Sequence, residues 1–444
     1  MRDRLRCRRL VGVVVAMLVV ATGCAGNPGR AGPEAGSGVG TITMWALQGQ
    51  QPLEVAELQA VVAEFNQSGS GITVQLRLIP EADYPKTLAA TPPEDMPDVV
   101  EIDGPAMSNL VYNGKLAPLE DFVSPAARAN ATDSILAQGT AENGRLYSLG
   151  MYDSGLGIFG NKKMLNSAGV RYPNGLDDAW TAEEFTAALS TLARSAPGGK
   201  ALDLSEYRGL DNEWGTYGFS PAIESAGALL IRDGRAGGTL DSESAVRGVQ
   251  TIASWRPYVD PNTDTAAFTS GRVALSWVGH WQYPTYARAL GSDLVVLPLP
   301  DFGLGTKTGQ GSWAWGIGAR THNAKAAGKF IDHLLSDRSV ERITQASGAP
   351  PGTKSVLARS PLYRPGGPLE LFGAGLARTC GTKPITKMCV AVPRPVTAGY
   401  PTITEHFAGA FTASYQGADV RTELARAARA IDRDFADNGG YRLE

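Results

Sequence analysis

Two carboxylates stand at positions where side chains could do chemistry. Asp103 closes the run Asp98-Val99-Val100-Glu101-Ile102-Asp103, and Asp153 follows Tyr152 in the glycine-rich bend of residues 143–161. A pair of Asp or Glu at a defined separation is what glycoside hydrolysis requires. No further motif supports an enzyme. G-x-S-x-G and H-E-x-x-H are absent, and the glycine-rich run 303–311 carries its lysine at a spacing unlike that of a phosphate loop. The other candidates are aromatic. Of eight tryptophans, Trp45 follows a first strand, Trp277 and Trp281 bracket Gly279-His280, Trp313 and Trp315 share one short run, and Trp214 lies in a polar loop. Such rings offer flat apolar faces that lose little conformational freedom on binding.

The chain has 444 residues, enough for two or three domains, and its hydrophobic share of 43% suits a globular protein. Arg2, Arg4, Arg6, Arg8 and Arg9 form a basic head before the apolar run 10–21, too short to span a membrane comfortably. This reads as a secretory signal over residues 1–23, and Arg8-Arg9 leaves the twin-arginine route open beside the general one. Ala21-Thr22-Gly23-Cys24 resembles a lipobox, which implies an acylated Cys24 at the mature N-terminus. Residues 24–40, rich in Gly, Ala and Pro, read as a flexible tether. Of the four cysteines, Cys7 leaves with the signal and Cys24 takes the lipid. Cys380 and Cys389 remain, in an exported chain, and are expected to form a disulfide around a small loop. No cofactor or metal is expected. Without the signal, which holds five Arg and one Asp, the net charge moves from −3 to −7. Nucleic acid is therefore a poor partner, and membrane contact would come through the lipid.

These candidates need elements to hold them. Residues 41–45 alternate like a strand, and 48–52 form a polar loop. Val55, Leu58, Val61, Val62 and Phe65 share one face of a helix over 53–65. Residues 72–78 alternate again, a helix starts near Asp83, and 98–103 form a strand ending in an acid. This β-α-β-α-β order implies parallel strands with helices between them. Thr181 and Glu184 form a capping box before a helix bearing Phe185, Leu189 and Leu192. Residues 195–213 read as a long polar loop, 268–277 as a turn feeding a strand, and 295–300 as a strand ended by prolines. Asn323 is expected to cap a helix with Ala327, Phe330, Ile331, Leu334 and Leu335. A last helix places Val420, Leu424, Ala427, Ile431 and Phe435 on one face.

Several segments, in order, resemble one family. Met96-Pro97-Asp98-Val99-Val100 with Gly114-Lys115-Leu116-Ala117-Pro118-Leu119 is similar to its "PDV … G-x-L-x-P-L" segment. Asn143-Gly144-Arg145-Leu146-Tyr147 and Asn161-Lys162-Lys163-Met164-Leu165 with Ala168-Gly169 resemble "G-K-x-Y … YNK … aG". Residues 268–281 resemble "F-x-x-G-x-A-M … G-x-W". Gly311-Ser312-Trp313-Ala314-Trp315-Gly316-Ile317 resembles a later "GG … I" segment, and Arg394-Pro395 with Tyr400 a late "RP … Y" element. The family is the extracellular solute-binding lipoproteins of carbohydrate ABC importers, related to maltose-binding protein. Two departures, Gly160 in place of the tyrosine of YNK and Ser312 in place of the second glycine, bear on the ligand rather than the fold.

The resemblance implies an α/β chain with a two-lobe periplasmic-binding-protein-like fold, an interlobe hinge and a ligand cleft. The first lobe would comprise residues 41–147 and 316–349, and the second 148–315 and 350–444. Crossings are expected near 147–151, 313–316 and 348–352. The implied role is capture of a sugar or oligosaccharide, an amino sugar included, by a monomer anchored outside the cell membrane. Delivery would be to the transmembrane permease of an ABC importer. Cleft candidates are Gln48, Asp103, Tyr152, Asp153, Trp214, Gly279, His280, Trp281, Gly311, Ser312 and Trp315. Rings would stack on sugar C–H faces, and acids would accept hydroxyl hydrogen bonds. Each Asp also suits a turn or cap, His280 a structural role, and any one Trp a core. A glycerophosphodiester or other non-sugar solute on the same fold, a secreted glycoside hydrolase and a purely structural lipoprotein stand as the other readings.

Overall fold

Hydrophobic alternation in the first fifth of the chain builds a sheet edge outward from one central strand. In a computed structural model, which describes residues 32–49, 51–381 and 383–443, the strands in chain order are β1 (Gly40–Gln48), β2 (Ile72–Pro80), β3 (Val99–Asp103), β4 (Leu116–Ala117), β5 (Ser148–Leu149), β6 (Leu156–Asn161), β7 (Leu202–Asp203), β8 (Val259–Asp260), β9 (Leu275–Gly279), β10 (Leu294–Leu297), β11 (Thr308–Gln310), β12 (Trp313–Gly318) and β13 (Ala391–Pro393). Cys24 and residues 1–31 lie outside the described residues. Everything below belongs to the unit Pro33–Glu444.

The first sheet runs β2-β1-β3-β12-β4, with β5 added to β12. β1 is parallel to β2 and β3, as the alternating helices require, while β12 returns antiparallel to β3. Ile42, Met44 and Ala46 point into the core with no exposure. The helix Pro52–Gln67 covers them with Leu58, Val61, Val62 and Phe65, and Pro52 starts it at a position where no N–H is needed. The second sheet runs β10-β6-β9-β7-β8 and carries its own larger core. The Thr181–Glu184 capping box is formed. The helix Val420–Asp437 buries its five-residue apolar face. These are the two lobes of an α/β fold.

Three details differ from the sequence reading. Ser148–Leu149 and Trp313–Gly318 are strands of the first sheet, so the first crossing begins after Leu149 and the second ends before Trp313. Val356, beyond the third crossing, still packs into the first core. Asn323 precedes the helix Ala324–Leu334 but its side chain does not cap it. It accepts from Gly38 N–H at 3.0 Å and donates to Val39 O at 2.7 Å, pinning the incoming chain instead.

The crossings bond to one another. Gly352 N–H donates to Met151 O and Asp153 N–H to Pro350 O, each at 2.8 Å. Ser312 Oγ donates to Tyr152 O. Gly104 N–H, just past β3, donates to Ser312 O at 2.8 Å. The end of β3 is thereby fixed against the hinge. The exported-protein disulfide expected from the sequence is present: Cys380 and Cys389 are bonded, with Cα atoms 5.0 Å apart. Among the described residues, no helix is long and apolar enough to cross a membrane.

Candidate functional site

The second-lobe wall of the cleft starts at the end of β9. There the chain turns through Gly279, and Trp281 folds back over it. A Cβ at Gly279 would sit 2.0 Å from the Trp281 ring, so only glycine leaves room for this fold-back. Trp281 is half-buried, held on edge by Trp214 at 6.1 Å and flanked by Tyr217 at 6.3 Å and His280 at 5.4 Å. Its indole N–H is buried without a partner. Trp214 is a support, not a second platform: it is 7% exposed and its N–H donates to Leu204 O at 3.1 Å. Burial lowers the His280 pKa to about 3, so the ring is neutral, and its Nδ1 also lacks a partner. Tyr152 stands 6.4 Å from that ring, from the first crossing.

The floor is an ion cluster that joins the lobes. Arg394, directly after β13, forms a two-pronged pair with Asp103 at the end of β3, at 3.0 and 2.7 Å. The same guanidinium donates to Glu213 Oε1 at 2.6 Å, and Tyr400 and Thr404 donate to Glu213 as well. Arg394 lies 4.6 Å from the Tyr217 ring centroid. It fits because residue 311 is glycine: a Cβ there would come within 2.3 Å of Nη2.

The first-lobe wall is acidic. Burial raises Glu101 to a pKa of about 8, against the pull of the Leu47 N–H that it accepts at 2.7 Å, and nearby Glu54 raises it further. Burial likewise raises Glu54 to about 7, with the Tyr152 hydroxyl acting the other way. Such carboxyls hold protons near neutrality. Gln48 is exposed at the end of β1.

Several candidates sit elsewhere. Trp315 is 3% exposed and packs in the first-lobe core; its register partner Glu101 on β3 shares that face of the sheet and is buried with it. It has no face open to a ligand. Asp153 is 4% exposed and fully engaged in the hinge, accepting from Ser134, from Gln138 at 3.2 Å and from Ser154 N–H at 2.8 Å. With Asp103 bound to Arg394, both carboxylates of the glycosidase pair are occupied. Ser312 serves the hinge. Sequence reasoning missed Arg394 as a site residue, although Arg394-Pro395 was visible as a motif. It also missed Glu54, Glu101, Glu213 and Tyr217. An acid inside the apolar run Val99-Val100-Glu101-Ile102 was the one usable signal. Among the described residues no group of three His, Cys, Asp or Glu could hold a metal ion.

Comparison with known proteins agrees with this architecture. A model of the bacterial extracellular solute-binding protein family matches residues 60–364. The GacH receptor of Streptomyces glaucescens, solved unliganded and with acarbose, is similar over 91% of this chain and 98% of its own at 21% identity, with a TM-score of 0.71. The Thermus thermophilus maltotriose-binding protein matches 89% of this chain and 100% of its own at 20% identity, TM-score 0.69. A solute-binding protein of Thermotoga lettingae, solved with α-D-tagatose, matches 88% and 99% at 20% identity, TM-score 0.69. At these identities the likeness is one of fold.

Proposed function

The chain belongs to the bacterial extracellular solute-binding proteins, and from that premise we propose that it captures a sugar or oligosaccharide between its lobes and hands it to the permease of an ABC importer. The observation that carries this reading is Trp281: a rigid ring platform at the cleft whose own N–H has no partner. A sugar ring stacked there satisfies both needs at once, an apolar face for its C–H groups and a donor for a hydroxyl. His280 is the polar group beside it, with Tyr152 beyond that ring. Binding shifts the lobes toward closure only in proportion to the higher affinity of the closed state.

The similar structures hold acarbose, maltotriose and tagatose, which sets the ligand panel. An amino sugar stays on the panel, because two carboxylates, Asp103 and Glu213, share the one guanidinium of Arg394. A phosphodiester fits less well. It calls for a cluster of free guanidinium groups, whereas Arg394 is already shared between two carboxylates and Arg208 faces Glu81. Export with a lipid on Cys24 completes the reading. A Cys24→Ser chain is then expected in the soluble fraction where the parent partitions into detergent.

The test is a thermal-shift titration of residues 33–444 with maltose, maltotriose, acarbose, tagatose, glucosamine and glycerophosphocholine. A saturable rise in Tm with one sugar, by mass action, supports the reading. A rise with glycerophosphocholine alone replaces the ligand class and keeps the fold.

A further inference from the structure

The loop before the helix Glu213–Ser225 holds an arginine whose surroundings suit a ligand better than a surface. Arg208 lies among three rings, 5.5 Å from the centroid of Tyr207, 6.0 Å from Trp214 and 5.6 Å from Trp281. These distances are within reach of cation–π attraction. The segment that places it is strained. Ser205 is a buried non-glycine residue at φ 55°, in the left-handed region, and its hydroxyl has no partner. Strain of this kind persists only where the surroundings enforce it. Two local bonds do so here: Ser205 N–H donates to Asp203 Oδ1 at 2.7 Å, and Gln282 Nε2 donates to the Tyr207 hydroxyl at 3.1 Å. Arg208 is thus held over the Trp281 platform by its own lobe.

Its polar contacts are incomplete. The Nε group is buried without a partner. Its ion pair is with Glu81, just past β2 on the opposite lobe, at 3.6 Å. That separation is too long for a good hydrogen bond. The Glu81 side chain keeps 40% of its exposure, against 13% for Arg208. A well-positioned donor faces a loosely placed acceptor on the opposite lobe.

We propose that Arg208 is a specificity-determining residue of the sugar site, which donates to hydroxyl oxygens of the ring stacked on Trp281 and holds Glu81 in their place when the site is empty. This rests on the sugar-capture reading above and adds the residue that orients the ring. The chemistry selected is a neutral pyranose or furanose with adjacent hydroxyls, since two hydroxyl oxygens can meet the two edges of one planar guanidinium. Glu81 then acts as a competitor for Arg208 rather than as a ligand contact.

The two partners therefore affect affinity with opposite signs. Calorimetric titration with the sugar that shifts the parent chain is expected to show about 10- to 100-fold weaker binding for Arg208→Ala, the usual value of a hydrogen bond from a charged group. Arg208→Lys recovers only part of this, because an ammonium cannot present two parallel donors. Glu81→Gln is expected to bind about two- to fivefold more tightly, as loss of a partly exposed ion pair allows. This gain shrinks at high salt. Tm without sugar, measured for each variant, separates misfolding from lost binding. Equal weakening by Arg208→Ala and Glu81→Gln would make the pair a lobe latch and overturn the proposal. Tighter binding by Arg208→Ala would make Arg208 an obstruction on the platform and overturn it too. A parent chain that binds no sugar of the panel defeats the sugar-capture reading itself, a distinct result.

Discussion

The two walls of the cleft are built on opposite plans. The first lobe supplies carboxyls, Glu54, Glu81, Glu101 and Asp103. The second supplies rings, Trp281 with Trp214, Tyr217 and His280 behind it, and the two arginines 208 and 394. The ring wall is packed on its own core, so its shape depends little on the other lobe. The acid wall is different: its charges are met by arginines of the opposite lobe or are suppressed by burial. One wall offers a preformed surface, and the other takes its electrostatic state from its surroundings. Preformed apolar surface favours affinity, because less ordering remains to be done on binding. Titratable, shared charge makes closure sensitive to solution conditions.

The largest effect is expected where the walls meet. Arg394→Met leaves Asp103 and Glu213 facing each other with no counter-charge. Breaking a buried pair by removing one partner costs roughly 3–5 kcal/mol. The lower end applies here, because the two carboxylates keep 21% and 35% of their side-chain exposure. Denaturant unfolding would measure it. Adding Asp103→Asn to Arg394→Met is expected to restore part of the loss, and a double variant no better than the single one would show that Arg394 acts by packing on Tyr217 rather than by charge.

Two tryptophans sharpen the contrast between wall and core. Trp315→Ala empties a fully enclosed position and is expected to cost about 3 kcal/mol of stability, with the affinity of the remaining folded protein unchanged. Trp281→Ala is expected to do the reverse. Sugar affinity falls about 100-fold, the loss of most of one stacked ring face, and Tm falls less than for Trp315→Ala because Trp281 is only partly buried against its core. Calorimetry and thermal melting on the same two samples decide it. If Trp315→Ala weakens binding and Trp281→Ala does not, the assignment of platform and core is reversed.

That pair also shows what the sequence could convey. Periodic elements were legible: β1, the helix after Pro52, the capping box at Thr181 and the terminal apolar helix each declare themselves over four or more residues. Trp281 and Trp315 were not separable, because both sit in short glycine-bearing runs. What divides them is the sheet each run joins. The floor was invisible for a plainer reason. Arg394 meets Asp103 across 291 residues of sequence and Glu213 across 181, and no local pattern encodes such a contact. β7, two residues long inside a polar stretch, has no period to detect. The strained turn at Ser205 that follows it was hidden in the same stretch.

The smallest effect separates the walls by the sign of their proton linkage. Glu101 and Glu54 have folded pKa values of about 8 and 7, above the ordinary carboxyl value of 4.5. The folded chain keeps protons that the unfolded chain has lost, so their contribution is full below about pH 4.5 and is lost as pH rises through 7 to 8. His280 runs the other way. Its pKa falls from 6.5 to about 3, so its contribution is full above pH 6.5 and is lost as pH falls toward 3. Stability should therefore decline on both sides of a weakly acid optimum; Glu101 and Glu54 contribute to the alkaline limb beside the second-lobe Glu224, which burial raises to about 8, and His280 contributes to the acid limb. Glu101→Gln is expected to flatten the alkaline limb by roughly 2 °C in Tm between pH 6 and 9 and to leave the acid limb as it was. His280→Asn is expected to flatten only the acid limb. Tm profiles of the two variants that change on the same limb would mean that the charges of the two walls are not independent, and the division between a preformed wall and a titrating one would not hold.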